Sequence, residues 1–360
     1  MELRMFKHRL VLSRSSASAS AISTAAIFFL SPASAFFLAV FAVFPSFNFA
    51  QNAPLGTPQF GSYSFLRNDA GARAAALGGA FVAIHDDPAA VFYNPAVIAS
   101  ADDNQIHATF FKHVADVNSG FFVYNNSLKG LGVSSNSALA QGSVAISANY
   151  VNYGQFARTD RNGMSSGATF GGGDLALAAT YANQLDSTWF YGVSVKYINS
   201  RLDNVSTGAV AVDAGMLYRI PKANVNIGVS VLHAGTQVAS LGTMPDRLPI
   251  DVRIGVNHRL RGLPLLINAS FARLADSTAT LPERFLNFQI GGEFYFGQAV
   301  RVRIGYDNQR RRELSPEAQP RFTGFNAGVG LALPNLGVDY ALSIVGMPGM
   351  VHRVSLLLKM

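Results

Sequence analysis

Few residues in this chain could do chemistry, and they are poorly spaced for it. His107 and His113 lack a metal-ligand spacing, and His233, His258 and His352 are scattered. A structural or catalytic metal needs three or four ligands converging on one point, and this pattern does not supply them. The absence of cysteine removes thiolate ligands, thiol nucleophiles and disulfides. Ser194 and Ser230 lie on strand-like segments, but neither has a histidine two residues away on its own face, as a hydrolytic Ser–His pair would require. The glycine-rich stretches "GGAFVA" (Gly78–Ala83) and "GGGD" (Gly171–Asp174) lack the following Lys-Ser/Thr of a phosphate loop. No enzymatic activity, cofactor or metal is expected.

Two stretches carry more information. "GSYSFLRNDAGARAAALGGAFVAIHDDPAAVFYNPAVIAS", Gly61–Ser100, is rich in small residues and shows little alternation. Ala72–Leu77 followed by Gly78-Gly79 predicts a short helix with a glycine cap behind it. Asp87 before Pro88 predicts a capped helical turn running to Tyr93 and stopped at Asn94-Pro95. The second stretch, "NQRRRELSPEAQPR" (Asn308–Arg321), is the densest in charge, with Arg310, Arg311 and Arg312 followed by Glu313 and Glu317. It reads either as a solvated face or as a surface that docks carboxylates or phosphates.

Strands must position both stretches. From Asn104 to the end, about fourteen segments alternate apolar with small or polar residues, from 104–112 to 350–359. Val225, Ile227, Val229 and Val231 alternate with Asn226, Gly228 and Ser230. Val300, Val302, Ile304 and Tyr306 oppose Arg301, Arg303, Gly305 and Asp307, and Glu293 and Arg253 sit likewise on polar faces. Charged residues are only 14% of the chain, against roughly 25% in soluble domains. No run after residue 50 is long and apolar enough for a spanning helix. The even-numbered connections are short from the fourth strand on, whereas the odd set holds nearly every long one, near 152–172, 235–248, 274–284 and 308–320, the second connection (about Ser127 to Ala140) being the exception. That parity is the signature of a transmembrane barrel with tight periplasmic turns and long outer loops. The fold class predicted is all-β: an antiparallel barrel of about 14 strands, apolar residues toward lipid, polar ones in a wet lumen. Tyr150, Tyr153, Tyr197, Tyr218, Phe294, Phe296 and Tyr306 are candidates for aromatic girdles.

Residues 1–50 read as a signal peptide, with Arg4, Lys7, Arg9 and Arg14 ahead of "FFLAVFAVF" (Phe36–Phe44) and a cleavage point at Ala50/Gln51; an uncleaved anchor is the alternative. The domain organisation is then signal peptide 1–50, hatch or plug 51–103 and barrel 104–360, exported to an outer membrane. Of the formal charge of +7, the leader holds +3, leaving a mild +4 that gives no basis for nucleic-acid binding.

"FLR…GARAAALGGAFVAIHDDPAAVFYNPA" resembles the N-terminal signature of the PorV/PorQ family of outer-membrane proteins, with "RVRIGYDNQRRRELS", "GFNAGVGL" and "VDYALS" closer to its PorQ branch. The segment "NDAGAR" departs from the usual Leu-Pro before Ser-Ala-Arg. The resemblance implies a FadL-like barrel and marks Gly71, Arg73, Gly78, Gly79, Asp86, Asp87, Pro88, Asn94 and Pro95 as the hatch motif. It further implies a non-enzymatic part of the type IX secretion apparatus, with PorU-, PorV- and PorZ-like partners. Lipid, lipopolysaccharide and a partner-contact loop at Arg310, Arg311, Arg312 and Glu313 complete that expectation. The alternative function is a FadL-like channel for small hydrophobic molecules.

Overall fold

The computed structural model describes residues 63–113, 117–133, 138–239, 246–278, 280–314, 322–346 and 349–360; the signal-peptide reading lies outside them. The strands are β1 (Gln105–Lys112), β2 (Asn118–Ser127), β3 (Ser143–Thr159), β4 (Ser165–Gln184), β5 (Trp189–Leu202), β6 (Val205–Ile220), β7 (Val225–Ala239), β8 (Asp251–Arg259), β9 (Leu265–Phe271), β10 (Phe288–Phe296), β11 (Val300–Asp307), β12 (Phe325–Ala332), β13 (Leu336–Ile344) and β14 (Met350–Lys359). Each pairs antiparallel with its sequence neighbours, and β14 returns to β1 with Lys359 opposite Gln105, closing a 14-stranded barrel. Closure leaves no sheet edge within the ring.

The alternation in sequence becomes an inside and an outside. On β11, Val302 and Ile304 are 37% and 54% exposed, while Arg303 and Asp307 between and beyond them are 3% and 5% exposed. On β7, Ile227 faces out, while Asn226 and Ser230 face in and bond to residues of the lumen. Phe110, Ile146, Val195, Val329 and Val354 continue this outward apolar belt around the wall. An apolar surface encircling a closed barrel is the surface that lipid covers. Aromatic pairs mark its rims: Trp189 stacks on Tyr218 at the tight-turn end, and Tyr306 packs between Phe288 and Phe325 at the other. Tyr153 does not join a girdle; its hydroxyl donates to Asp174 on β4.

The connection near 152–172 is not a loop. β3 and β4 continue through it as a hairpin that turns at residues 160–164. Above the ring neither face of this hairpin is buried, so polar residues and glycines occupy both faces and no alternation shows in the sequence. Strands β3–β7 are 14–20 residues long and the remaining strands 7–10, so one side of the wall outreaches the other.

The lumen holds the chain's own N-terminal segment. Tyr63, Phe65, Leu77, Phe81, Ile84 and Ile98 are each no more than 3% exposed, and they pack against inward residues such as Phe111, Phe121, Val123 and Leu217. The inward charges Glu293, Arg303, Asp251 and Arg253 are correspondingly buried and paired, not spread through a wet channel.

Candidate functional site: the hatch and its seat

The hatch, residues 63–104, is folded by its small residues and its caps. Helix α1 (Ala72–Ala76) opens at Gly71 with φ +93°. It closes with Gly78 and Gly79 at φ +68° and +83°, whose amides donate to Ala75 and Ala74 carbonyls at 3.0 and 2.9 Å. This double bond is the Schellman stop that the glycine pair predicts. Asp87 accepts from the Ala89 amide at 2.9 Å and starts a 3₁₀ turn at Pro88 that runs to Phe92. Asn94-Pro95, read in the sequence only as a stop, repeats the device: Asn94 caps a second turn, Pro95–Ala99, through the Ala96 amide. The Asn94 amide nitrogen then donates to Val82 O at 3.0 Å and to Met216 O at 2.9 Å, tying the hatch to β6.

The wall is shaped to receive these turns. Inward glycines on β10, β11 and β12 face α1: a methyl on Gly291 would lie 2.6 Å from Leu77 O, one on Gly328 2.5 Å from Ala76 Cβ, and one on Gly305 would strike the backbone of Leu77 and Gly78. On the opposite wall Gly192 and Gly215 make the same room for Pro95 and Asn94, and Gly228 for Val82. Sequence reasoning missed this belt; its signal is glycine at inward register positions of adjacent strands.

Charge then locks the seat. Arg73 on α1 donates through Nη2 to Glu293 Oε2 at 2.8 Å and through Nη1 to Asp86 Oδ1 at 2.9 Å, with Asp87 3.6 Å away. Glu293, fully buried, also accepts from Arg303 at 2.9 Å, and Arg303 reaches Asp339 at 2.5 Å. The chain Asp86–Arg73–Glu293–Arg303–Asp339 thus runs from the hatch across β10, β11 and β13. At the other end of the lumen, Asp69 takes a 2.5 Å bond from Arg310, and Arg67 one of 2.6 Å to Asp276. Burial alone would raise the Asp69 carboxyl, but Arg310, with Arg353 behind it, holds it below the ordinary value of 3.8.

Of the densely charged stretch, residues 308–314 are described, and they form a helix with one arginine turned inward and its last four residues exposed. The stretch begins with helix α3 (Asn308–Leu314; α2 is the single turn Leu281–Arg284), which turns Arg310 inward onto the hatch; Arg311 and Arg312 stay at the surface, and Glu313 pairs with Arg273 at 2.7 Å. Alternate helical faces, which no strand-period reading resolves, separate these neighbours. Glu317 lies outside the described residues. Of the other chemistry-bearing residues, Ser194 bonds Thr180, Ser230 bonds Tyr93 O, and His107 and His233 are buried in the lumen, separate from one another. Among the described residues no three His, Asp or Glu side chains converge to hold a metal.

Two openings border the hatch. A small cavity between hatch and wall, about 20 Å³, is lined by Leu66, Phe92, Phe121, Ala176 and Ala178 interleaved with Asn68, Ser147, Asn149, Lys196 and His233. At the tight-turn mouth a cleft of about 260 Å³ is bounded by His85, Asp86, Arg219, Asn226, Arg259 and Tyr295. Burial, only partly offset by Asp86, holds the His85 imidazole below its ordinary value. The ring is thus neutral at neutral pH, and its Nδ1 accepts from the Asn226 amide at 3.1 Å.

No protein-family model matches the sequence, and no curated protein matches it. Solved structures do share the fold. The toluene transporter TbuX of Ralstonia pickettii superposes with a TM-score of 0.51 at 14% identity, over 80% of this chain and 96% of its own. A ΔS2 mutant of the monoaromatic hydrocarbon channel TodX gives 0.50 at 12% identity, over 83% and 98%. A FadL homologue of Pseudomonas aeruginosa aligns at 0.46 and 12% identity, over 85% and 100%. The fold is that of the TbuX and TodX barrels. These likenesses bear out the barrel fold that the resemblance implies and lend no support to kinship with PorV/PorQ proteins.

Proposed function

We propose that this barrel is a hatch-gated outer-membrane passage for small hydrophobic molecules. The observation that carries the reading is the seam where the hatch meets β2–β5, a cavity of about 20 Å³, room for one water while the hatch is seated. It is lined by Leu66, Phe92, Phe121, Ala176 and Ala178 among as many polar residues, so that a larger apolar solute passes only if the hatch moves. A site that guides apolar molecules needs such walls with a few polar groups to orient them, and Ser147, Asn149 and Lys196 supply those. The fold shared with a toluene transporter and a hydrocarbon channel supports the same reading. The hatch is held by non-covalent contacts alone, so its displacement is reversible. The docking reading, a type IX secretion component, rested on the PorV/PorQ resemblance and expected partner contact at Arg310, Arg311, Arg312 and Glu313; of these, Arg310 is committed to Asp69.

The test exploits the absence of cysteine. Ala72 N lies 2.7 Å from Ser355 Oγ, so an Ala72→Cys/Ser355→Cys pair can be oxidised to fasten hatch to wall. Uptake of labelled toluene is measured in cells with a lipopolysaccharide outer membrane that lack a transporter of their own. The protein should raise the initial rate, oxidation of the double variant should abolish the gain, and reduction should restore it. Uptake indifferent to the protein overturns the reading. Normal uptake with the hatch fastened would show that solute does not pass the hatch. Unchanged uptake together with capture of secretion proteins from native membranes would favour the docking role.

A further inference from the structure

The tight-turn mouth of the lumen gathers three arginines and, among the described residues, a single acid, Asp86, which is bonded elsewhere. Arg219 on β6, Arg259 on β8 and Arg301 on β11 all occupy inward register positions, in step with Leu217, Asn257 and Arg303. Among the described residues none of the three guanidiniums bonds a carboxylate. Each instead lies over an aromatic ring: Arg259 and Arg301 over Tyr295, at 4.3 and 4.8 Å from its centroid, and Arg219 over Phe190 at 5.7 Å. Stacking fixes a guanidinium plane without consuming its N–H donors, so the heads are held ready for an acceptor. The acid nearest to them, Asp86, is already taken by Arg73 at 2.9 Å.

We infer that the cleft at this mouth binds a small organic anion, its carboxylate or phosphate oxygens on Arg219 and Arg259 and its apolar body on Tyr295, Leu266 and Ile220. Planar arginine forks bind oxyanions bidentately, and this makes them more selective for such groups than a single ammonium. The cleft, about 260 Å³, admits several water molecules or one compact organic acid. Inward register places the arginine heads in the lumen, away from the lipid belt, so the anion arrives as a solute and not as a lipid headgroup. The site stands on its own geometry and does not require that anything cross the hatch.

Binding to the full-length protein in detergent micelles is read by isothermal titration. The probes are benzoate, its neutral counterpart benzyl alcohol, and inorganic phosphate. Benzoate should bind saturably, more weakly as salt is raised, and at least tenfold tighter than benzyl alcohol. Arg219→Gln/Arg259→Gln should weaken benzoate at least tenfold, whereas Arg158→Gln, at the far hairpin, should leave it unchanged. Phosphate should compete with benzoate but bind less tightly, having no body to lay on Tyr295. If the double variant fails to fold, Arg259→Gln alone, at an exposed position, serves with an expected loss of at least threefold. Equal binding of benzoate and benzyl alcohol, or benzoate binding indifferent to the arginine variants, overturns the proposal. Phosphate as tight as benzoate overturns the role given to the apolar wall. Uptake of toluene is not measured here, so a failed channel reading leaves this result intact, and the reverse.

Discussion

The hatch meets the two halves of its barrel by different physics. Helix α1 lies against β11–β14, where glycines admit its backbone and the Arg73–Glu293–Arg303 chain fixes it by charge. The turn Pro95–Ala99 lies against β3–β6, where alanines, Ile98 and Leu217 pack and the Asn94 amide supplies the polar ties. Loss of an apolar contact costs in proportion to the area re-exposed. Loss of one member of a buried ionic chain costs much more, because the others remain buried and unbalanced. One half therefore yields gradually to perturbation, while the other holds until its charges separate.

The largest effect should come from the charged half. Arg73→Leu keeps bulk on α1 but takes the cation from Asp86 and Asp87 and leaves Glu293 on Arg303 alone, and should destabilise the folded barrel by about 3–5 kcal/mol. The urea midpoint of the folded-to-unfolded band shift in lipid vesicles measures it. A loss under about 1 kcal/mol would erase the distinction between the halves.

Arg310→Ser tests the second charged tie and should cost about 1.5–3 kcal/mol, the worth of a hydrogen bond to an ionised group. Its pH dependence has a defined sign. Asp69 sits below its unfolded value of 3.8, so its contribution is complete above that pH and declines as pH falls toward the folded value. Wild type and Arg310→Ser should differ most at neutral pH and converge as the pH drops below about 4. A difference that does not shrink as the pH falls below about 4 would point to a group other than Asp69.

On the apolar half, Asn94→Ala removes a turn cap and should cost about 1 kcal/mol, up to about 2. Because Asn94 also bonds Met216 O across the seat, proteolysis of residues 88–99 should accelerate in this variant. A stability loss as large as that of Arg73→Leu would mean that both halves are locked alike. Smallest of all, Arg312→Ser, at an exposed position of α3, should stay within about 0.5 kcal/mol of wild type in the same unfolding series. A larger loss would mean that Arg312 also reaches the hatch.

Much of the wall is legible because a strand in a closed barrel has one rule, alternation with period two. Ile227 out and Ser230 in can be read from spacing alone. Where that rule lapses, reading fails: the hairpin of residues 152–172 has no buried face, and α3 follows a helical period that scatters Arg310, Arg311 and Arg312 to different surroundings. The hatch turns are legible in a different way, because Gly78-Gly79, Asp87-Pro88 and Asn94-Pro95 act on their own backbone within a few residues. Arg73 could be singled out as part of a motif, but its partner Glu293 is 220 residues away and no spacing connects them.

The sequence by itself therefore determined the strands, their number, their facing and the caps of the hatch, since each follows from backbone geometry and local side-chain chemistry. Only the tertiary structure decided where the charges go. Closing the ring brought β10, β11 and β13 around α1, so that Arg73, Glu293, Arg303 and Asp339 became one buried chain. It likewise gathered Arg219, Arg259 and Arg301 at one mouth, stacked on aromatic rings and bonded to no carboxylate among the described residues. Ionic partners are chosen by distance in space, and in a barrel filled by its own N-terminal segment that distance bears little relation to separation along the chain.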